Sequence, residues 1–223
     1  MKRCSMEPDL KSLGQAIVLV IVSLVLLSAC GQQEPPQSIE WDFSAVDQGG
    51  TAMPQHAAGE HHCVLDGRTG LLWEVKRAEP GLHSRDALFS WYHEDKEQNL
   101  GEPGRAGGGS CSLERCDTAA FVAAVNAAGL CGRHDWRMPS RDEALTILDR
   151  ARAGTGATLD PVYFPAAVEA EFWTGTTFRM YPQGAWMVDT IYALDRVDDK
   201  AEPKRVRLVS GSKDAVTPKG RGR

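Results

Sequence analysis

The stretch "LCGRHDWRMPSRDE", residues 130–143, crowds a cysteine, a histidine, acids and arginines around one tryptophan. It looks like chemistry, yet local rules already assign much of it. Ser140 with Glu143 three residues later, directly after Pro139, is a capping box that starts a helix. Ala144, Ile147, Leu148 and Ala151 recur at helical spacing as its buried stripe. Arg150 and Arg152 suit the negative helix end, and Gly154 ends it. Upstream, Asp117 is an N-cap, and Thr118, Phe121, Val122 and Val125 fall at i, i+3, i+4, i+7, with Gly129 as the stop. Asp135, Trp136 and Arg137 therefore occupy a corner between two helices. A buried tryptophan whose charged neighbours satisfy backbone groups fits that corner.

Strand patterns lie on both sides of the helices. In "HHCVLDGRTGLLWEVK", Cys63–Leu65 and Leu71–Val75 flank a turn carrying Asp66-Gly67 and Gly70, which predicts a hairpin. "EFWTGTTF" and "AWMVDTIY" are rich in aromatic and β-branched residues and are separated by the turn-like "RMYPQG". "KRVRLVS" reads as one closing strand, with Val206 and Leu208 inward and Arg205 and Arg207 outward. Strands, then helices, then strands predict an α+β domain with an antiparallel sheet. "NLGEPGRAGGGS", residues 99–110, reads as a flexible loop. It lacks the Gly-Lys-Ser/Thr ending of a phosphate cradle.

The N-terminus decides the compartment. Residues 16–29, "AIVLVIVSLVLLSA", form an apolar run of ~14 residues behind Lys2, Arg3 and Lys11. That is short for a membrane span and fits a signal peptide. It ends in "LSAC", which resembles the lipobox of bacterial lipoproteins. On that likeness residues 1–29 are removed and Cys30 is lipidated, and Gly31 after it points to the outer membrane. More than one acyl chain makes such an anchor stable. Residues 30–60 then read as a flexible tether rich in Gly, Pro and Gln, in which only the aromatics of "IEWDF" are expected to dock. The domain spans 61–210, and 211–223 is a disordered basic tail. The chain carries a formal charge of −5, and the leader removes one more basic residue than acidic ones. That balance argues against nucleic acid as the partner.

In an oxidising compartment the four domain cysteines are expected to pair with one another. Cys116 and Cys131 bracket a helix ~18 Å long, too far apart for a bond that needs Cα atoms within ~7 Å. Cys111–Cys116 with Cys63–Cys131 is the favoured pairing. Cys63–Cys116 with Cys111–Cys131 stays as the alternative, because the glycine-rich loop gives Cys111 a wide swing. On the loop-entropy model the short ring contributes about 2 kcal/mol and the long one about 4.

Taken in order, "CVLDGRTGLLWEVK", "SWYHED", "CDTAAFVAAVNAAGLCGRHDWRMPSRDE", "YFPA", "FWTGTT", "AWMVD" and "VRLVSG" resemble the Lcl C-terminal (collagen-like protein C-terminal) domain family. The central motif appears as Asp135-Trp136-Arg137-Met138-Pro139-Ser140. The sequence departs at "FWTGTT", where a serine-rich run is usual. The resemblance implies a C-type-lectin-like fold, related also to formylglycine-generating enzymes, with no agreed catalytic residues. One founding member is a surface adhesin for sulfated polysaccharides, but it also has a collagen-like region absent from this sequence.

No spacing supplies a convergent acid–base pair, so no catalytic residue is assigned. Asp135, Trp136, Arg137, Pro139 and Ser140 are expected to be structural. "HHC" and "CGRH" tempt a metal reading, but no Cys-x-x-Cys or His-x-x-x-His pair exists, and no metal or cofactor is expected. "DRVDDK", residues 195–200, reads as a solvated acidic loop. Trp91, Tyr92, Tyr181, Trp186 and Tyr192 remain as candidate ligand contacts. The expected function is an envelope-anchored lipoprotein with a non-catalytic domain that binds a glycan or an envelope protein. A structural or assembly subunit of an envelope complex is the alternative.

Overall fold

The computed structural model describes residues 39–54 and 60–213. The leader, Cys30, the start of the expected tether and the tail from 214 lie outside them. Among the described residues no helix is long and apolar enough to cross a membrane.

The domain is α+β, with two sheets sharing a core. Strands β1 (Phe43–Val46), β2 (Cys63–Asp66) and β3 (Leu71–Glu74) form an antiparallel meander. β4 (Trp136–Arg137) and β9 (Val209–Ser210) complete a sheet ordered β1-β2-β3-β9-β4. The second sheet, ordered β7-β6-β5-β8, contains β5 (Glu171–Thr177), β6 (Gly184–Asp189), β7 (Leu194–Asp199) and β8 (Arg205–Val206). Its pairs are antiparallel except β5 with β8. The short helix α1 (Lys96–Asn99), then α2 (Thr118–Ala128) and α3 (Arg141–Leu145), lie between β3 and β5 in sequence, with β4 between α2 and α3. Trp73, Trp91, Trp136 and Trp173 are fully buried and anchor the core.

β1 lies inside the stretch expected as tether. Phe43 is buried against Phe164, with ring centroids 5.7 Å apart, and Trp41 stacks on Phe43 at 4.6 Å. The docking aromatics of "IEWDF" thus bring an edge strand with them.

α2 has its caps where the sequence puts them: the Asp117 side chain accepts from the Ala120 N–H, and Gly129 takes the left-handed conformation. α3 opens on the Ser140–Glu143 capping box but stops at Leu145, well short of Gly154. The Thr146 hydroxyl donates to the Glu143 carbonyl, a local bond that competes with helix continuation. Asp149 then caps a separate 3-10 turn, Arg150–Arg152.

Three other expectations need correction. "KRVRLVS" is not one strand: Val206 joins the second sheet and Val209 the first. Arg207 is buried between them, donating to the Glu74 carbonyl at 2.5 Å, with its guanidinium 4.8 Å from the Phe164 ring. "DRVDDK" lies largely in strand β7, an edge whose side chains are too exposed for apolar alternation to reveal it. The glycine-rich loop is pinned rather than free. The Gly107 N–H donates to Asp117, that of Gly108 to the Ser90 hydroxyl and that of Gly109 to the Cys116 carbonyl, each at 2.9 Å.

Cys63 is bonded to Cys131 and Cys111 to Cys116, the favoured of the two pairings that helix length leaves open.

Candidate binding groove

The Asp135–Ser140 corner is tightly committed. The Trp136 indole N–H donates to the Leu130 carbonyl at 3.0 Å. Its backbone N–H and C=O both bond the Asn126 amide, at 2.7 and 2.8 Å. Asp135 accepts from Arg133 and from the Ser210 hydroxyl. Arg137 makes a bidentate pair with Glu143, both contacts 2.7 Å, and also donates to the Gly211 carbonyl. Burial opposes ionisation of Glu143. Arg137 and the Ser140 N–H outweigh it and hold the carboxyl below the usual range. Pro139 is buried and its carbonyl accepts from the Gly175 N–H. These residues are frame, but one edge of the frame faces a groove.

That groove has a volume of about 630 Å³. Its first wall is α2, through Ala119, Val122 and Ala123, continued by Met138. The floor is the end of β5, from Gly175 to Thr177. The facing wall is the 92–100 segment, through Tyr92, His93, Glu97, Gln98 and Leu100, and Arg179 and Lys213 stand at the rim. An added Cβ at Gly175 would lie 2.9 Å from that of Met138, so a side chain there would collide with the corner.

The facing wall hangs on buried polar clamps. Lys200 is 1% exposed; its ammonium donates to the Asn99 and Glu102 carbonyls at 3.2 and 2.6 Å and lies 4.0 Å from the Trp91 ring centroid. Burial lowers its pKa to about 8. The buried Asn99 amide donates to the His93 carbonyl. His93 Nδ1 accepts from the Asp95 N–H, which leaves the proton of the neutral ring on Nε2. Burial pushes its pKa down.

The five candidate aromatics do not converge. Trp91 is 1% exposed, and its indole N–H is spent on the Thr174 carbonyl, so it is core and not a ligand contact. Tyr92 alone lines the groove. Trp186 is half-buried between Phe178 and the Arg141 guanidinium, which sits 4.3 Å from its ring. Tyr181 and Tyr192 are exposed at opposite ends of β6, roughly 20 Å apart at strand rise. The other groove residues come from α1, α2, the end of β5 and the segments beside them, elements far apart in sequence, and nothing in the sequence pattern groups them.

Other charges are committed inside the fold. Glu74 is fully buried between Lys76 and His83, each at 2.9 Å. Burial resists its ionisation, but Lys76 and His83 hold its pKa near 2. Asp195 pairs with Arg141, and Asp198 with Lys204. Among the described residues no group of three metal-binding side chains comes together.

The model of the Lcl C-terminal domain family matches residues 62–210. No curated protein and no solved structure matches the chain.

Proposed function

Because this chain belongs to the Lcl C-terminal domain family, we propose that it is an envelope lipoprotein whose domain binds a ligand in the α2 groove without chemistry. The observation that carries this reading is the groove itself. Its volume falls in the usual range for ligand sites, and it joins an aliphatic wall to a polar rim. Arg179 and Lys213 have no ion-pair partner among the described residues. The groups with large pKa shifts, Glu74, Lys200 and Arg207, are held in core pairs and carbonyl clamps rather than poised toward a substrate. The ligand is a glycan or an envelope protein. Two sheets around one core, a helix beside them and a disulfide from β2 to the turn after α2 support a relation to C-type lectins.

The apolar leader and "LSAC" support lipidation of Cys30 and retention at the outer membrane, periplasmic or surface-facing. Mass spectrometry of the mature N-terminus should find an acylated Cys30, and an unmodified chain beginning at Met1 contradicts this. For the groove, the full chain in detergent is screened on a glycan array and in pull-downs from envelope fractions, beside Ala123→Arg. Ala123 is exposed on the first wall, so an arginine there obstructs the groove and spares the core. Hits lost in that variant at unchanged melting temperature support the site. Hits fully retained place binding elsewhere.

A further inference from the structure

Resting on the binding reading above, we infer that the occupant of the groove is a polypeptide segment presenting an aliphatic side chain flanked by acids, not a sugar. A sugar ring is held by a flat aromatic face and a dense set of free hydrogen-bonding groups. The groove lacks the first. Tyr92 is its one tyrosine or tryptophan, and the Arg115 guanidinium already stands 5.6 Å from that ring. Two of the hydroxyl protons nearby are spent: Thr118 donates to the Tyr92 carbonyl at 2.8 Å, and Thr177 to that of Gln98 at 2.7 Å. The Thr176 hydroxyl accepts from the Arg141 N–H, and the Ser140 hydroxyl from that of Glu143.

What the groove does offer is apolar. α2 has no charged residue from Thr118 to Ala128. Its Ala119, Val122 and Ala123 line the groove together with Leu100 and Met138. Removing an aliphatic side chain from water against such a wall is favourable in proportion to the area covered. At the rim, Arg179 and Lys213 carry positive charge without an ion pair among the described residues, against the single acid Glu97. Carboxylates beside the apolar anchor complement that rim. Met180, which follows Arg179 in sequence, is 88% exposed and adds apolar surface on that side.

The test pans a phage-displayed library of random dodecapeptides on the full chain in detergent micelles. The same protein is placed on an array of neutral and sulfated oligosaccharides. Ala123→Arg and Arg179→Glu serve as variants in both arms, each checked for an unchanged melting temperature. The expected result is enrichment of peptides with an aliphatic residue and Asp or Glu within three positions. Their binding is lost in Ala123→Arg. In Arg179→Glu it weakens about tenfold, chiefly through slower, salt-dependent association. Peptides without acidic bias, indifferent to Arg179→Glu, overturn the charge complementarity. Oligosaccharide binding that Ala123→Arg abolishes, with no such peptide found, overturns the polypeptide class and leaves the groove as the site. The absence of any binder sensitive to Ala123→Arg, in either arm, overturns the groove reading as well.

Discussion

The two walls of the groove are held by different physics. The α2 wall and its corner rest on buried apolar area, the Cys63–Cys131 bond and the bidentate Arg137–Glu143 pair. The facing wall buries only Asn99 from α1 and hangs on polar bonds, from the Lys200 ammonium, the Asn99 amide and the Thr118 and Thr177 hydroxyls, with a few backbone bonds. Local opening free energies are lowest where few apolar contacts must break. The difference teaches that one wall can open while the other stays fixed. That suits the proposed binding site, which would admit its ligand without unfolding the frame.

The comparison breaks most visibly at Trp136. Trp136→Ala removes a fully buried indole, costs about 3–5 kcal/mol, and should lower the melting temperature of the whole domain. A variant that melts like its parent but binds less would move Trp136 from frame to site.

A smaller effect is expected at the ion pair. Glu143→Gln should cost about 2 kcal/mol at neutral pH, the scale of a charged hydrogen bond. The folded-state pKa of Glu143 lies below its unfolded value, so its contribution is full above about pH 4.5 and is lost as pH falls through the folded value. The gap between parent and variant should therefore close in acid, as read by denaturant melts at stepped pH. A gap that is constant with pH would mean the Arg137 contact contributes nothing through charge.

Smaller still in global stability is Lys200→Met, at no more than about 1 kcal/mol, because the freed carbonyls of Asn99 and Glu102 can swing into water. Ligand affinity should fall with it, since Tyr92, His93 and Leu100 lose their support. Unchanged affinity would show that this wall does not contribute to binding.

The sequence reveals the first wall far better than the second. Caps are local, so Asp117, Gly129, Ser140 and Glu143 could be placed from spacing alone. Helix length, again a short-range argument, excluded Cys116–Cys131 and left two pairings, of which the favoured one is present. The clamp on the other wall joins Lys200 to Asn99 and Glu102 across about a hundred residues. Nothing in an acidic run that ends in a lysine announces a buried ammonium. Arg207 was misread for a related reason: alternation assigns arginine to solvent, whereas a carbonyl and two aromatic rings make a buried place for it. Trp91 and Tyr92 are neighbours in sequence, yet one lies in the core and the other lines the groove. Composition cannot say which.

Native-state hydrogen exchange tests the two-wall account most directly. The Asn99 and Glu102 amides, bonded to the Asp95 and Asn99 carbonyls, report on the clamped wall. Those of Phe121, Trp136 and Gly175 report on the frame. The account predicts that the first set exchanges about a hundredfold faster than the second, and that Lys200→Met speeds the first set alone. Equal protection of both sets, lost together only on global unfolding, would contradict it.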